Sequence, residues 1–400
     1  MEKRKITIAD VRLSGKAKKY VDDVLDNNRL TYGPYTDRFE SGVAEKIKRK
    51  YAIFVSSGTA ALQVSLHALK EMNRWDDGDE IVLPAVTFVS SLNVILHNRL
   101  HPVFVDVERD YYCLDPEKIE KKLTKKTRAI MPVHLFGQSS DMEKITKIAK
   151  RHNLKVIEDS CESMFVNYMG RPVGSWGDLS VFSTYVSHLL TTGVGGIVAT
   201  DNLMLSETIR SLVFHGRDNL YLKIEDDDNL ENDLRLISII ERRFQYKYVG
   251  YNFRLTEIEA ALGLAVLEEI DRHMKARIKI GQMLTKRLNQ FDLFFQLPSV
   301  RPQSEHAYML YPMIIKDKII EKEDLLFFLE KNGIETRNFM PLLTQPVYKK
   351  IIGDIEDNYP VAKYLVSQGF IIGCHQYLSN QDVEYVYNVI RRYLKTRKFL

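Results

Sequence analysis

The stretch AIFVSSGTAALQVSLHALKEM, residues 52–72, changes period in its middle. Ala52 to Ser56 is a short apolar run of strand length. From Gly58 to Met72, the residues Ala61, Leu62, Ser65, Leu66 and Leu69 recur at helical spacing. A strand therefore feeds directly into a helix. The junction, Ser56-Ser57-Gly58-Thr59, lies where a helix presents free N–H groups and the positive end of its dipole. Such an end suits a phosphate, and the hydroxyls add donors. Alone, an N-cap with no ligand is the simpler reading. No Gly-Lys-Ser/Thr follows, so this is not a Walker A loop.

The same alternation continues outward. Glu80 to Leu83, Pro102 to Val105, Ala129 to Val133, Lys155 to Glu158, Val181 to Tyr185 and Gly196 to Thr200 read as strands. Ser90 to His97 and Ser140 to His152 read as helices. This pattern predicts an α/β fold with a mostly parallel central sheet covered on both faces. Residues 218–250, with the acidic run Glu225 to Asp228, read as an inserted surface loop with some helix. Its Arg242, Arg243 and Lys247 could grip a diphosphate, although solubilising a loop is the simpler role. Arg254 to Met274 reads as one strong helix with an Ala- and Leu-rich face. Beyond about residue 300 the pattern is α+β. Tyr308 to Ile315 and Ile334 to Arg337 are strand-like, and Lys322 to Lys331 and Asp382 to Leu394 are helical. The expected organisation is an N-terminal segment and large domain over 1–250, then a connecting helix and a smaller α+β C-terminal domain over 251–400.

Composition narrows the function. The 400 residues are 45% hydrophobic and 28% charged, which excludes a disordered or fibrous chain. A net charge of +4, with basic residues scattered, gives no footprint for nucleic acid. Three widely spaced cysteines, Cys113, Cys161 and Cys374, provide neither a disulfide framework nor a metal-binding spacing. They favour a reducing, cytoplasmic compartment. The start, MEKRKITIADVRLSG, lacks the apolar core of a secretory signal. Leu179 to Thr200 carries no charge, but its three glycines and many hydroxyls fit a buried segment better than a membrane span. His97 and His101 have metal-like spacing, yet the helix ends between them, so no metal site is expected.

Two further clusters carry chemistry. Glu158-Asp159-Ser160-Cys161-Glu162 closes an apolar strand, where open α/β sheets place their ligands. A surface helix cap is the alternative. Ser183-Thr184-Tyr185-Val186-Ser187-His188 leads into the glycine-dense run Thr191 to Gly196. A lone histidine is more often a satisfied core residue. Its place between a strand end and a glycine loop favours a site. His134, at another strand end, is a candidate pocket residue.

Taken in order, these segments form a longer series. It begins with GPYTDRFE (33–40), SGTAA (57–61), GDEIVLPAVTFVS (78–90) and residues 102–107. It continues with VHLFGQSSD (133–141), residues 156–162, GRPVGSWGD (170–178), residues 193–196 and GYNFRLTEIEAALG (250–263). GIETR (333–337) and Pro341 close it. The series resembles the DegT/DnrJ/EryC1/StrS sugar aminotransferases, which are fold-type I enzymes dependent on pyridoxal phosphate. The resemblance implies roles for particular residues. Ser57, Gly58, Thr59 and Ser183 would hold the cofactor phosphate. Phe88 would stack on the ring, and Asp159 would pair with the protonated ring nitrogen, keeping it an electron sink. Glu162 stands where the family usually has Gln, facing the ring and its 3-hydroxyl. Asn252 would reach a neighbouring subunit's phosphate, implying a homodimer with shared sites. Arg337 is a candidate for contacting the carboxylate or phosphate of the amino acid or sugar nucleotide.

One departure matters most. The family pattern places a lysine five residues after Ser183, and here that residue is His188. An imidazole cannot make the covalent link a primary amine makes, so pyridoxal or pyridoxamine phosphate would be held non-covalently. The exchange resembles the sugar 3-dehydratase subgroup, of the GDP-4-keto-6-deoxy-D-mannose 3-dehydratase type. By that resemblance the chain would remove the 3-hydroxyl of a nucleotide-linked 4-keto-6-deoxy sugar, within deoxysugar and polysaccharide biosynthesis. His188, with a near-neutral pKa, would be the base. An ordinary iron–sulfur centre needs four cysteines, so three scattered ones favour the cluster-free GDP-sugar type over the CDP-sugar type. An amino acid, typically L-glutamate, would regenerate the pyridoxamine form. The alternatives are a sugar aminotransferase using another base, or a non-catalytic nucleotide-sugar-binding relative.

Overall fold

The computed structural model describes residues 4–399, apart from 219–236, 238–239, 241–243 and 318. Arg242, Arg243 and most of the 218–250 insertion therefore lie outside the described residues. Lys247 is described, and it pairs with Asp218 at 3.4 Å.

Seven short strands build the central sheet. They are β1 (Tyr51–Val55), β2 (Glu80–Pro84), β3 (His101–Val105), β4 (Thr127–Ile130), β5 (Lys155–Asp159), β8 (Leu179–Ser183) and β9 (Gly196–Thr200). Between β5 and β8, the pair β6 (Asn167–Tyr168) and β7 (Arg171–Pro172) forms a separate hairpin. The sheet order is β1-β9-β8-β5-β4-β2-β3. Only β9 runs antiparallel to its neighbours. Because two antiparallel pairings flank it, β1 and β8 point the same way as the other strands. Val55 and Ser183 both pair with Gly196, so the ends of β1 and β8 meet across the start of β9. A side chain at Gly196 would put a Cβ 2.3 Å from the Ser57 carbonyl oxygen, so glycine is required there. The C-terminal ends of β1, β2, β5 and β8 thus open on one side, where such sheets bind ligands.

The uncharged stretch 179–200 supplies β8 and β9, both buried throughout. Among the described residues no helix is long and apolar enough to cross a membrane.

A second, antiparallel sheet follows, built from β10 (Phe295–Gln296), β11 (Tyr311–Ile315), β12 (Thr336–Asn338) and β13 (Gly369–Ile372), in the order β10-β11-β13-β12. Phe295, Tyr311, Phe370 and Tyr393 anchor its core. Ile6 bridges Ile334, so the N-terminal segment is tied to this sheet. The strand expected from Ile334 starts at Thr336, and Ile334 lies outside it, in the bridge to Ile6.

The expected helix from Arg254 to Met274 is two helices, Glu257–Leu267 and Ile270–Leu288. The Glu269 N–H bonds the Val266 carbonyl three residues back, tightening the turn and ending the first helix. No proline or glycine marks the break, and the apolar spacing runs across it.

Candidate active site

One cavity of about 440 Å³ opens at the strand ends. Ser57, Gly58, Thr59, Phe88, Asp159, Glu162, Ser183 and His188 all line it. Asn252 does not. It is exposed, and its Oδ1 accepts from Arg254 Nε at 2.9 Å. Arg337 is exposed on β12 and does not line the cavity.

Ser57 caps the helix Gly58–Asn73, its Oγ accepting from the Ala60 N–H at 3.0 Å. The first N–H groups of that helix have no partner within it. A Cβ at Gly58 would stand 2.9 Å from Ser183 Cβ and 3.1 Å from Cys161 Sγ. Glycine therefore lets the helix start press against the end of β8. Two serines, a threonine and a helix N-terminus are gathered at one end of the cavity, a donor set suited to a phosphate.

Strand alternation separates the two acidic neighbours. Glu158 belongs to the scaffold: its carboxylate accepts from the N–H groups of Gly174, Trp176 and Gly177 at 2.8, 2.7 and 2.6 Å. His134 Nε2 lies 3.2 Å from it, and His134 Nδ1 accepts from Ser140 N–H. His134 is thus a fully buried, satisfied residue and does not line the pocket. Asp159 faces the cavity. Its carboxylate accepts from Ser91 Oγ at 2.8 Å and from the Cys161 N–H at 3.3 Å. Thr87 backs Ser91 at 2.9 Å. Asp159 forms no ion pair among the described residues, and burial pushes its pKa up. A buried carboxylate without a cation is matched to a ligand that brings a protonated nitrogen. Nothing in the sequence singles out Ser91 and Thr87, which orient this carboxylate.

Glu162 accepts from the Phe136 N–H at 2.8 Å. Burial pushes its pKa up to about 7, and the nearby Asp159 carboxylate adds to the rise. It therefore shares a proton with solvent near neutrality and can donate or accept a hydrogen bond. Phe88 is largely exposed at the cavity mouth, with its ring available for stacking.

His188 is half-buried on the loop after β8, its N–H donating to the Tyr185 carbonyl at 2.9 Å. Its Nδ1 is buried with no hydrogen-bond partner among the described residues. The near-neutral pKa expected from residue type does not hold. Burial, and then the cation of Arg277, push it down to about 4, so the imidazole is neutral at physiological pH. Among the described residues, no lysine or arginine lines the cavity.

Residues 12–391 match the DegT/DnrJ/EryC1/StrS aminotransferase family. This chain belongs to that family. It is 34% identical over 392 residues to a protein named GDP-perosamine synthase from Escherichia coli O157:H7, covering 97% of this chain and 98% of that one. Its fold superposes on that of E. coli GDP-4-keto-6-deoxy-D-mannose-3-dehydratase with bound hydrated PLP (TM-score 0.87, 25% identity, covering 96% and 98%). It likewise superposes on PseC of Helicobacter pylori, described as an aminotransferase of pseudoaminic acid biosynthesis (TM-score 0.85, 26% identity). The PseC match covers 99% of this chain and 100% of that one. The architecture is that of fold-type I enzymes, and the cofactor is pyridoxal phosphate or its pyridoxamine form. The unpaired Asp159, the helix terminus with its hydroxyls and the exposed Phe88 ring fit that cofactor.

Proposed function

We propose that this enzyme removes the 3-hydroxyl of a nucleotide-linked 4-keto-6-deoxy sugar, using non-covalently held pyridoxal and pyridoxamine phosphate. One observation carries the reading: His188 stands where the family's lysine is expected, and among the described residues no lysine lines the cavity. When bound, the cofactor supplies an amino group for the sugar ketone and an electron sink for expelling the hydroxyl. The residues of the chain do the rest. Gly58, Thr59, Ser57 and Ser183 hold the phosphate end, and Phe88 covers one face of the ring. Asp159, fixed by Ser91, holds the proton on the ring nitrogen. Glu162 faces the ring's 3-hydroxyl. The neutral His188 takes a proton on Nε2 and returns it to the departing hydroxyl as water. The phosphate and diphosphate groups bring negative charge near the imidazole, which raises its proton affinity on binding.

The amino donor, L-glutamate, supplies the electrons. Overall, the sugar and glutamate give the 3-deoxy sugar, 2-oxoglutarate and ammonia, which balances. The site is completed in a homodimer by Asn252 of a second copy, and the reaction belongs to the cytoplasm.

A second reading, a sugar aminotransferase, is favoured by the similarity to proteins named GDP-perosamine synthase. The test begins with absorbance spectra in pyridoxal phosphate before and after L-glutamate, followed by borohydride. The dehydratase reading expects conversion to a pyridoxamine spectrum, no covalent fixation, and a 3-deoxy sugar with free ammonia from GDP-4-keto-6-deoxymannose. Fixation to a lysine, or an amino sugar without ammonia, would overturn it.

A further inference from the structure

The loop 184–195 joins β8 to β9 and carries His188. Its two flanks differ. Leu189 and Leu190 are buried in the core and hold the far flank. On the near flank Tyr185 and Val186 are exposed, and Tyr185, Ser187 and His188 line the cofactor cavity. The His188 Nδ1 has no hydrogen-bond partner among the described residues, so the imidazole takes its place from the backbone that carries it. That backbone is set at the neck of the loop, where Thr184 and Thr192 are both buried.

The neck is closed twice. On the main chain, the Thr184 N–H donates to the Gly195 carbonyl and the Thr192 N–H to the Thr184 carbonyl, both at 2.9 Å. The Val186 N–H donates to the Gly193 carbonyl at 3.0 Å. Between the side chains, the Thr184 and Thr192 hydroxyl oxygens stand 2.6 Å apart, and the Thr192 hydroxyl also bonds the Val194 carbonyl. A carbonyl can only accept, so the Thr192 proton goes to Val194. The Thr184 carbonyl, at 3.4 Å, is the more distant acceptor. Thr192 Oγ1 then accepts the Thr184 proton. The bonds thus run one way, from Thr184 through Thr192 to Val194, which lines the cavity itself. Gly195 leaves room for them, since a Cβ there would lie 2.3 Å from Thr184 Oγ1 and 2.7 Å from Thr192 Oγ1.

We propose that Thr184 and Thr192 are positioning residues: their paired hydroxyls staple the neck of this loop and so hold the His188 imidazole at the cofactor cavity. The proposal rests on His188 being the base of the reaction.

Hydrogen exchange of the full-length protein, read by mass spectrometry over 184–195, reports the staple with no turnover needed. Thr192→Val keeps the branched shape and removes the hydroxyl. The segment should then exchange about tenfold faster, while β1 and the helix Glu257–Leu267 exchange as in the wild type. Thr184→Val, which removes one of the two side-chain bonds, should fall between. With pyridoxal phosphate and L-glutamate, Thr192→Val should convert to the pyridoxamine form about tenfold more slowly. Its affinity for pyridoxal phosphate should stay that of the wild type, because Ser57, Gly58, Thr59 and Ser183 lie outside the loop. Thr192→Ser keeps the hydroxyl and should recover the rate to within about threefold. In Thr192→Val, unchanged exchange over 184–195, an equal acceleration throughout the large sheet, or a wild-type rate of conversion would overturn the staple. So would a loss of cofactor affinity that accounts for the slower conversion. Full conversion by His188→Asn would instead remove the role of His188 as base, while the exchange result would still decide the staple.

Discussion

Glu158 and Asp159 sit side by side on β5 and face opposite ways, and the difference lies entirely in their partners. Glu158 is surrounded by donors and ionised, its pKa held down by His134, Arg49 and backbone N–H groups against the cost of burial. Glu162, three residues beyond Asp159, has one N–H donor and no cation among the described residues. Its pKa is about 7 against an ordinary 4.5. A carboxyl raised in this way contributes stability that is fully present below pH 4.5 and is lost as the pH rises through 7. Glu162→Gln keeps the acceptor for Phe136 and removes the titration. Between pH 5 and pH 8 the wild type should therefore lose up to about 3 kcal/mol relative to the variant. Urea unfolding of both proteins at the two pH values measures the difference. Parallel pH dependence would show that Glu162 ionises like an ordinary surface carboxylate.

At the scale of elements, two of the family motifs are joined by one side chain. GPYTDRFE begins the helix Pro34–Lys46, and TEIEAALG begins the helix Glu257–Leu267. The Glu257 carboxylate, 1% exposed, accepts from the N–H groups of Gly33, Tyr35 and Thr36 at 2.8, 2.9 and 3.0 Å, and from the Thr36 hydroxyl. It caps the first helix while sitting in the favourable first turn of its own. Glu40 then accepts from Phe54 N–H at 2.7 Å, tying the same helix to β1 and so to the cofactor end of the sheet. Glu257→Ala leaves these donors unpaired in a buried place and should cost about 3 kcal/mol in urea unfolding. Glu257→Gln, which keeps one acceptor, should fall between. A loss in Glu257→Ala below about 0.5 kcal/mol would mean that water replaces the carboxylate. The capping role is invisible in the sequence because the partners lie 221 to 224 residues apart. The strands of the large sheet, by contrast, are legible because each is a short apolar run between turn residues. The helix Gly15–Asp26 is less legible, since it buries only Ala17 and Val24. β13 is hidden because the helix Pro360–Gln368 runs into it without a break.

For the whole molecule, eight of the nine residues singled out for the site converge on one cavity, because strand ends and helix starts carry them and the parallel sheet aligns those ends. The orienting pair Ser91 and Thr87 depend on packing that no local pattern encodes. Asn252 is the ninth, exposed and outside the cavity of its own chain. If it serves a second copy, a site is a composite, and composite sites complement. Asp159→Asn removes the ring-nitrogen partner from one chain, and Asn252→Ala removes the donated amide. Each homodimer should then be nearly inactive in converting pyridoxal phosphate with L-glutamate. Unfolding the two variants together and refolding them as an equal mixture yields hybrids for about half of the dimers, by random pairing. In a hybrid, one site combines both defects. The other joins an intact Asp159 to an intact Asn252 and works. The mixture should therefore recover about a quarter of wild-type activity, far above the average of its parents. Activity no higher than that average would show that each chain completes its site alone and that the exposed Asn252 serves only its own loop.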